Sequence, residues 1–248
     1  MNAGTRILLI DGPAGPIDVA LDVPPGTTAG VAKGNTGGAA GTGHGSAPAA
    51  RGIALVAHPH PLFGGTRDNK VAMTLARTLV SLGYESWRPN FRGVGKTGGV
   101  FDEGQGETDD LLALAAHALA AWRTARGLAP DAPVELVLAG FSFGAFVQAR
   151  VRARLAEQGV PVARTVLVGA ATSRWQVEPV PADTLVVHGE HDDVVPLASV
   201  LDWARPQGLP IVVVPGTDHF FHRRLTTLKA IVLRHWGVAS ADDAAGEA

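Results

Sequence analysis

Short runs of branched apolar residues alternate along this chain with stretches whose apolar positions recur every three or four residues. The runs at 53–57, 134–139, 165–168, 185–187 and 211–214 are almost wholly apolar, the mark of strands buried on both faces of a parallel sheet. Residues 84–89 form a further strand. Helical spacing predicts helices over 70–82, 107–126, 144–158, 197–204 and 220–236. Near the start, segments 5–10 and 17–23 flank the turn-forming Asp11-Gly12-Pro13, which predicts a hairpin. The pattern describes one domain over residues 1–238: a doubly wound, mostly parallel α/β sheet with an N-terminal antiparallel hairpin. Residues 239–248 read as a polar tail.

One stretch breaks the pattern. Residues 24–50 are Gly, Ala, Thr, Ser and Pro with almost no large apolar side chain, so they cannot bury enough surface to offset the entropy of ordering. A flexible surface loop between strands is expected there, with no function for its His44.

Composition narrows the function classes. The chain of 248 residues carries a net charge of −2 and no Lys/Arg cluster, so no nucleic-acid partner is expected. It has no cysteine, which excludes disulfides, thiolate catalysis and Cys-based metal sites. No apolar run approaches the ~20 residues that span a bilayer, and the first residues lack the pattern of a secretory signal. The expectation is a cytoplasmic protein with no membrane partner and no cofactor. Its sheet edges would permit a homodimer without requiring one.

The chemistry centres on Gly140-Phe141-Ser142-Phe143-Gly144, which follows the strand VELVLA and precedes a helix. A chain turning sharply from strand to helix brings backbone against backbone, so glycine is needed at both ends. The serine is left at the apex with its hydroxyl exposed. A neutral serine hydroxyl needs a general base, and the base needs an orienting carboxylate. Where a serine elbow tops a parallel sheet, the carboxylate and then the histidine follow it along the chain. Gly189-Glu190-His191-Asp192-Asp193 ends one strand and offers two aspartates, either of which would also serve as a helix cap before Pro196. His219 follows the last strand, in Gly216-Thr217-Asp218-His219-Phe220-Phe221, with His222 a second candidate one turn on. His117 and His235 fall on helices and read as packed or solvated.

Acyl transfer also needs two N–H donors for the developing oxyanion. One is the backbone N–H of Phe143. The other belongs to the loop His58-Pro59-His60-Pro61-Leu62-Phe63-Gly64-Gly65, where proline has no N–H and His60 and Leu62 remain. His58 and His60 also spell an H-x-H that can ligate zinc, with Glu190, His191 and Asp192 as further ligands. The companion Asp-His pair of a metallohydrolase is missing, and no metal is expected.

Taken together, HPHPLFGGTRDNK, RPNFRGVGKTGG, AGFSFG, HGEHDDVVP and GTDHFF resemble a bacterial group of small α/β-hydrolases related to dienelactone hydrolases and carboxylesterases. The likeness runs from about residue 7 to 236, broken by the 24–50 insert. It implies the α/β-hydrolase fold and a Ser142–Asp192–His219 triad, the aspartate lying three residues past Gly189. It also implies an oxyanion hole at Phe143 and the His60/Leu62 loop, and hydrolysis of a small-molecule acyl ester. Dienelactone hydrolases use cysteine where this chain has Ser142. The FRGVGKTGG loop lacks phosphate-loop spacing and reads as the loop after the fourth strand, with Arg92 tied to Asp102 or Glu107. Only about a dozen residues, 171–183, stand where many such hydrolases insert a helical cap. An open site without a cap domain is expected, with Trp175 and Phe63 as candidate substrate-binding residues. Trp175 reads equally as a surface-packed indole.

Overall fold

The computed structural model describes residues 5–26 and 50–237. Most of the 24–50 insert, His44 and the 239–248 tail lie outside them. The chain forms β1 (Arg6–Gly12), β2 (Gly15–Asp22), β3 (Gly52–Ala57), α1 (Lys70–Ser81), β4 (Tyr84–Pro89), α2 (Gln105–Ala125), β5 (Glu135–Phe141) and α3 (Phe143–Glu157). It continues through β6 (Arg164–Val168), β7 (Leu185–Gly189), α4 (Leu197–Ala204), β8 (Ile211–Val214) and α5 (Leu225–His235).

The strands make one eight-stranded sheet in the order β1-β2-β4-β3-β5-β6-β7-β8. β1 and β2 are antiparallel and β2 joins β4 antiparallel, while every pair from β4 to β8 is parallel. Alternate side chains sort the core into two layers, as the period-2 pleat requires. Ile53, Leu55, Leu136, Leu138 and Leu167 face α2, α3 and α4. Ala54, Val56, Val137, Val166 and Val187 face α1 and α5. Neighbouring residues of one strand thus serve opposite cores, which is why the central strands carry so little polar alternation.

Three expectations shift. The hairpin turns at Pro13-Ala14, because Asp11 and Gly12 still pair with Pro16 and Gly15. β8 lies at an open edge instead of inside the sheet, and Val212 and Val213 are 38% and 37% exposed. The last helix starts at Leu225, not 220. Phe221 (φ 53°) and Arg223 (φ 60°) take left-handed backbone angles, and no helix propagates through those.

Residues 169–184, between β6 and β7, contain turns but no helix or strand, so that connection builds no helical cap over the carboxyl ends of the strands. Among the described residues no helix is long and apolar enough to cross a membrane.

Candidate active site

The elbow forms where β5 ends. Ser142 stands between β5 and α3 at φ 57° and ψ −119°, a strained combination for a residue with a side chain. A Cβ on Gly140 would lie 2.4 Å from the Gly144 carbonyl oxygen, and one on Gly144 would lie 2.5 Å from those of Ala57 and His58. Only glycine fits at either position. The Ser142 N–H donates to the Val168 carbonyl (2.8 Å), which fixes the apex against β6.

His219 and Asp192 meet the serine from the loops after β8 and β7. The Ser142 Oγ lies 3.0 Å from His219 Nε2, and His219 Nδ1 lies 2.6 Å from Asp192 Oδ2. The other oxygen, Asp192 Oδ1, accepts the N–H groups of Val194 (3.0 Å) and Val195 (2.7 Å). Those two bonds orient the carboxylate from behind. All three residues are buried, yet they lie at the open carboxyl edge of the sheet. Asp193 points to solvent and makes no hydrogen bond or ion pair among the described residues. His222 is exposed and bonds to Asp218 (2.6 Å), away from the serine.

A further histidine, His188 in β7, was not signalled by any motif. It is fully buried, and its Nε2 donates to the Val195 carbonyl (2.9 Å) at 3.5 Å from Asp192 Oδ2. Desolvation holds its pKa below the ordinary histidine value, so it stays neutral beside the carboxylate.

The H-x-H pair splits. His58 is fully buried, its Nδ1–H donating to the Pro59 carbonyl (2.6 Å) and its Nε2 accepting the Phe91 N–H (2.9 Å). Both nitrogens are committed to backbone, so the ring locks the loop after β3 to the loop after β4 and has no lone pair for a metal. Burial lowers its pKa to about 4. Unfolded, the same ring takes a proton near 6.5, so its stabilising effect is complete above that pH and fades as pH falls toward 4. His58 is expected to remain neutral at pH 5 in a ring-¹⁵N titration, and its share of stability is expected to fall by about 3 kcal/mol between pH 7 and pH 4. A titration midpoint above 6 would contradict the burial argument.

His60 sits half-buried among aromatic rings, with centroids of Phe63 at 4.5 Å, Phe101 at 4.7 Å, Phe143 at 5.0 Å and Trp175 at 5.3 Å. Its Nδ1 accepts the Leu62 N–H at 3.2 Å, while its own backbone N–H has no acceptor among the described residues. Phe143 begins α3, so its N–H lacks an intrahelical partner. Trp175 packs edge-on against Phe143 (5.2 Å) and stacks on Phe146 (5.6 Å), placing the indole beside the elbow. Phe63 is 72% exposed at the rim, with the Arg174 guanidinium 5.5 Å from its centroid.

Buried ion pairs set these loops. Arg92 binds Asp110 through two bonds (2.9 and 3.0 Å) and keeps a longer ion pair with Asp102 (3.9 Å), so the expected Asp102 contact is present but secondary, while Glu107 instead accepts the N–H groups of Asp102 and Gly104. The two anchors hold the segment that presents Phe101 to His60. Burial alone would raise the Asp18 pKa, but the Arg67 guanidinium, the Lys96 N–H and the Asn90 amide together hold it below the usual carboxylate value. That pair ties Arg67, just after the His60 loop, to β2.

No family model matches the chain. The uncharacterized protein RP471 of Rickettsia prowazekii is 34% identical over 179 residues, covering 68% of this chain and 71% of that protein. Among solved structures, XC6422 from Xanthomonas campestris, described as an α/β serine hydrolase without lid, is 35% identical with a TM-score of 0.72. The match covers 95% of this chain and 96% of that one. An α/β serine hydrolase homologue from Coxiella burnetii is 33% identical with a TM-score of 0.69, covering 94% and 98%. With more than a third of its residues identical to XC6422 over almost its whole length, and no helical cap over the strand ends among the described residues, the chain belongs to the lidless α/β serine hydrolases.

Proposed function

We propose that the protein hydrolyses carboxylic esters through an acyl-enzyme on Ser142, and that its acyl group is short. The observation that carries this reading is the unbroken series Ser142 Oγ, His219 Nε2, His219 Nδ1, Asp192 Oδ2, with links of 3.0 and 2.6 Å. His219 takes the Ser142 proton as Oγ attacks the acyl carbon, then gives it to the departing alcohol. Asp192 keeps the proton of the neutral ring on Nδ1 and stabilises the imidazolium that forms. Water, activated by the same histidine, attacks the acyl-enzyme and releases the acid. The oxyanion is received by the Phe143 N–H and by an N–H of the His60–Leu62 loop. Within that loop the Leu62 N–H donates to His60 Nδ1 and the His60 N–H is left unengaged among the described residues, and each oxyanion donor is worth about 3 kcal/mol in the transition state.

Chain length follows from the rings. Phe143, Phe146 and Trp175 occupy the space beside the elbow, so a long acyl chain has nowhere to go without displacing the indole. The test is hydrolysis of p-nitrophenyl esters from C2 to C12, with fluorophosphonate labelling of Ser142. The wild type is expected to favour C2–C4. Trp175→Ala is expected to raise kcat/KM for C8 relative to C2 by about tenfold, the effect of burying about two more methylenes at about 0.8 kcal/mol each in the space of the indole. An unlabelled protein inert to every ester would overturn the proposal. A Trp175→Ala profile identical to wild type would place the acyl group elsewhere.

A further inference from the structure

The faces of α1 and α5 that meet solvent carry one sign of charge. Neither helix, nor the segment from His219 to Leu225 that joins them to the site, contains an aspartate or glutamate. In a chain of net charge −2 this is a local concentration of cations. Two cavities follow one another along the groove between the helices and share Leu225 as a wall. The first, of about 250 Å³, is lined by Lys70, His222 and Arg223 with Phe220, Phe221 and Leu225. The second, of about 220 Å³, is lined by Arg77 and Lys229 with Thr74, Thr78 and Thr226. Among the described residues no carboxylate lines either one.

Lys70, Arg77, Arg223 and Lys229 form no ion pair among the described residues. The nearest acids in the sequence are already engaged, Asp218 by His222 (2.6 Å), Asp68 by Arg88 (3.3 Å) and Glu85 by Arg126 (3.1 Å). A seven-residue step along α1 places Arg77 about 10 Å beyond Lys70, so the cations stand at two levels of the groove. Its near end adjoins the site: the Phe220 ring that walls the first cavity packs 5.1 Å from the ring of His219. In the reaction proposed above, His219 is the group that hands a proton to the departing alcohol, and a thiol leaving group would take it in the same way.

Resting on that reading, we propose that this groove holds the leaving group of the substrate, and that the leaving group bears phosphate. Phe220 and Leu225 would line its carbon portion. Lys70 with Arg223 would meet a first phosphate, and Arg77 with Lys229 a second, on a longer leaving group. In the reaction, Ser142 Oγ bonds to the acyl carbon and the bond from that carbon to the leaving oxygen or sulfur breaks. The Ser142 proton passes through His219 to that atom. The phosphate takes no part and keeps its charge, and water later completes the hydrolysis.

The test compares 4-acetoxyphenyl phosphate with 4-methylphenyl acetate at low ionic strength. The wild type is expected to prefer the phosphate ester by at least tenfold in kcat/KM, the preference shrinking as salt is added. In Lys70→Glu/Arg223→Glu the ratio of the two is expected to fall to about one. For acetyl-coenzyme A, Arg77→Glu/Lys229→Glu is expected to raise KM at least fivefold. Equal wild-type rates, or a preference that survives the first double variant, would overturn the groove. If no ester is cleaved, calorimetric binding of phenyl phosphate decides the groove separately from the nucleophile. Binding lost in Lys70→Glu/Arg223→Glu supports it, and no binding to the wild type overturns it.

Discussion

Ser142→Ala is expected to lower kcat/KM for p-nitrophenyl acetate by at least ~10³-fold while leaving the fold intact. The size of the loss follows from the geometry. Ser142 Oγ is the hydroxyl that His219 Nε2 reaches, at 3.0 Å, and in the proposed reaction the N–H groups of Phe143 and of the His60 loop receive the oxyanion. Alanine keeps the donors and the histidine but supplies no atom to attack the acyl carbon, so only binding and oxyanion stabilisation of a water attack remain. The fold should survive because the Ser142 side chain has no structural bond beyond its contact with His219. Alanine also carries the left-handed φ of 57° at about the cost serine does. The measurement is steady-state hydrolysis beside thermal unfolding. A folded variant with wild-type activity would remove Ser142 as nucleophile and leave the hydrolase chemistry to another group.

The parts of this structure legible from the sequence are those in which a local pattern has a local cause. The elbow is one: two glycines around Ser142 between a buried strand and a helix have a steric reason, and the structure shows the backbone they touch. The two-layer core is another, because strands facing helices on both sides need apolar residues at every position. What the sequence hid depends on partners far along the chain. Ile211–Val214 has the same composition as the central strands, and only its lack of a further neighbour makes it an edge. Arg92 makes its two short bonds to Asp110, beyond the longer pair with Asp102, because Glu107 turns back onto the N-terminus of α2 and Asp110 lies on the next turn. The start of α5 moved because Phe221 buries its ring at a left-handed backbone angle, which no periodicity reveals. His188 looked like an ordinary core position. Its contact with Asp192 exists only because the loop after β7 folds back over the strand end.

Asp192→Asn is expected to cost about 10³–10⁴-fold in kcat, whereas Asp193→Asn should stay within about twofold of wild type. The asymmetry follows from which oxygen does what. Oδ1 accepts the N–H groups of Val194 and Val195, so the asparagine must place its carbonyl oxygen there or break both bonds. Its NH₂ group then takes the place of Oδ2 and faces another donor, the His219 Nδ1–H. His219 can escape the clash only by moving its proton to Nε2, the nitrogen that must accept from Ser142. A ring in that tautomer is no base for the serine, however well it is positioned. Ring-¹⁵N spectra should therefore show the neutral His219 protonated on Nδ1 in the wild type and on Nε2 in Asp192→Asn. Asp193 does not touch that ring, and its amide changes nothing in that series. If Asp193→Asn were instead the damaging variant, the bonds from Val194 and Val195 to Asp192 would be a loop cap alone. The orienting carboxylate would then have to reach His219 through a rearrangement of the loop after β7.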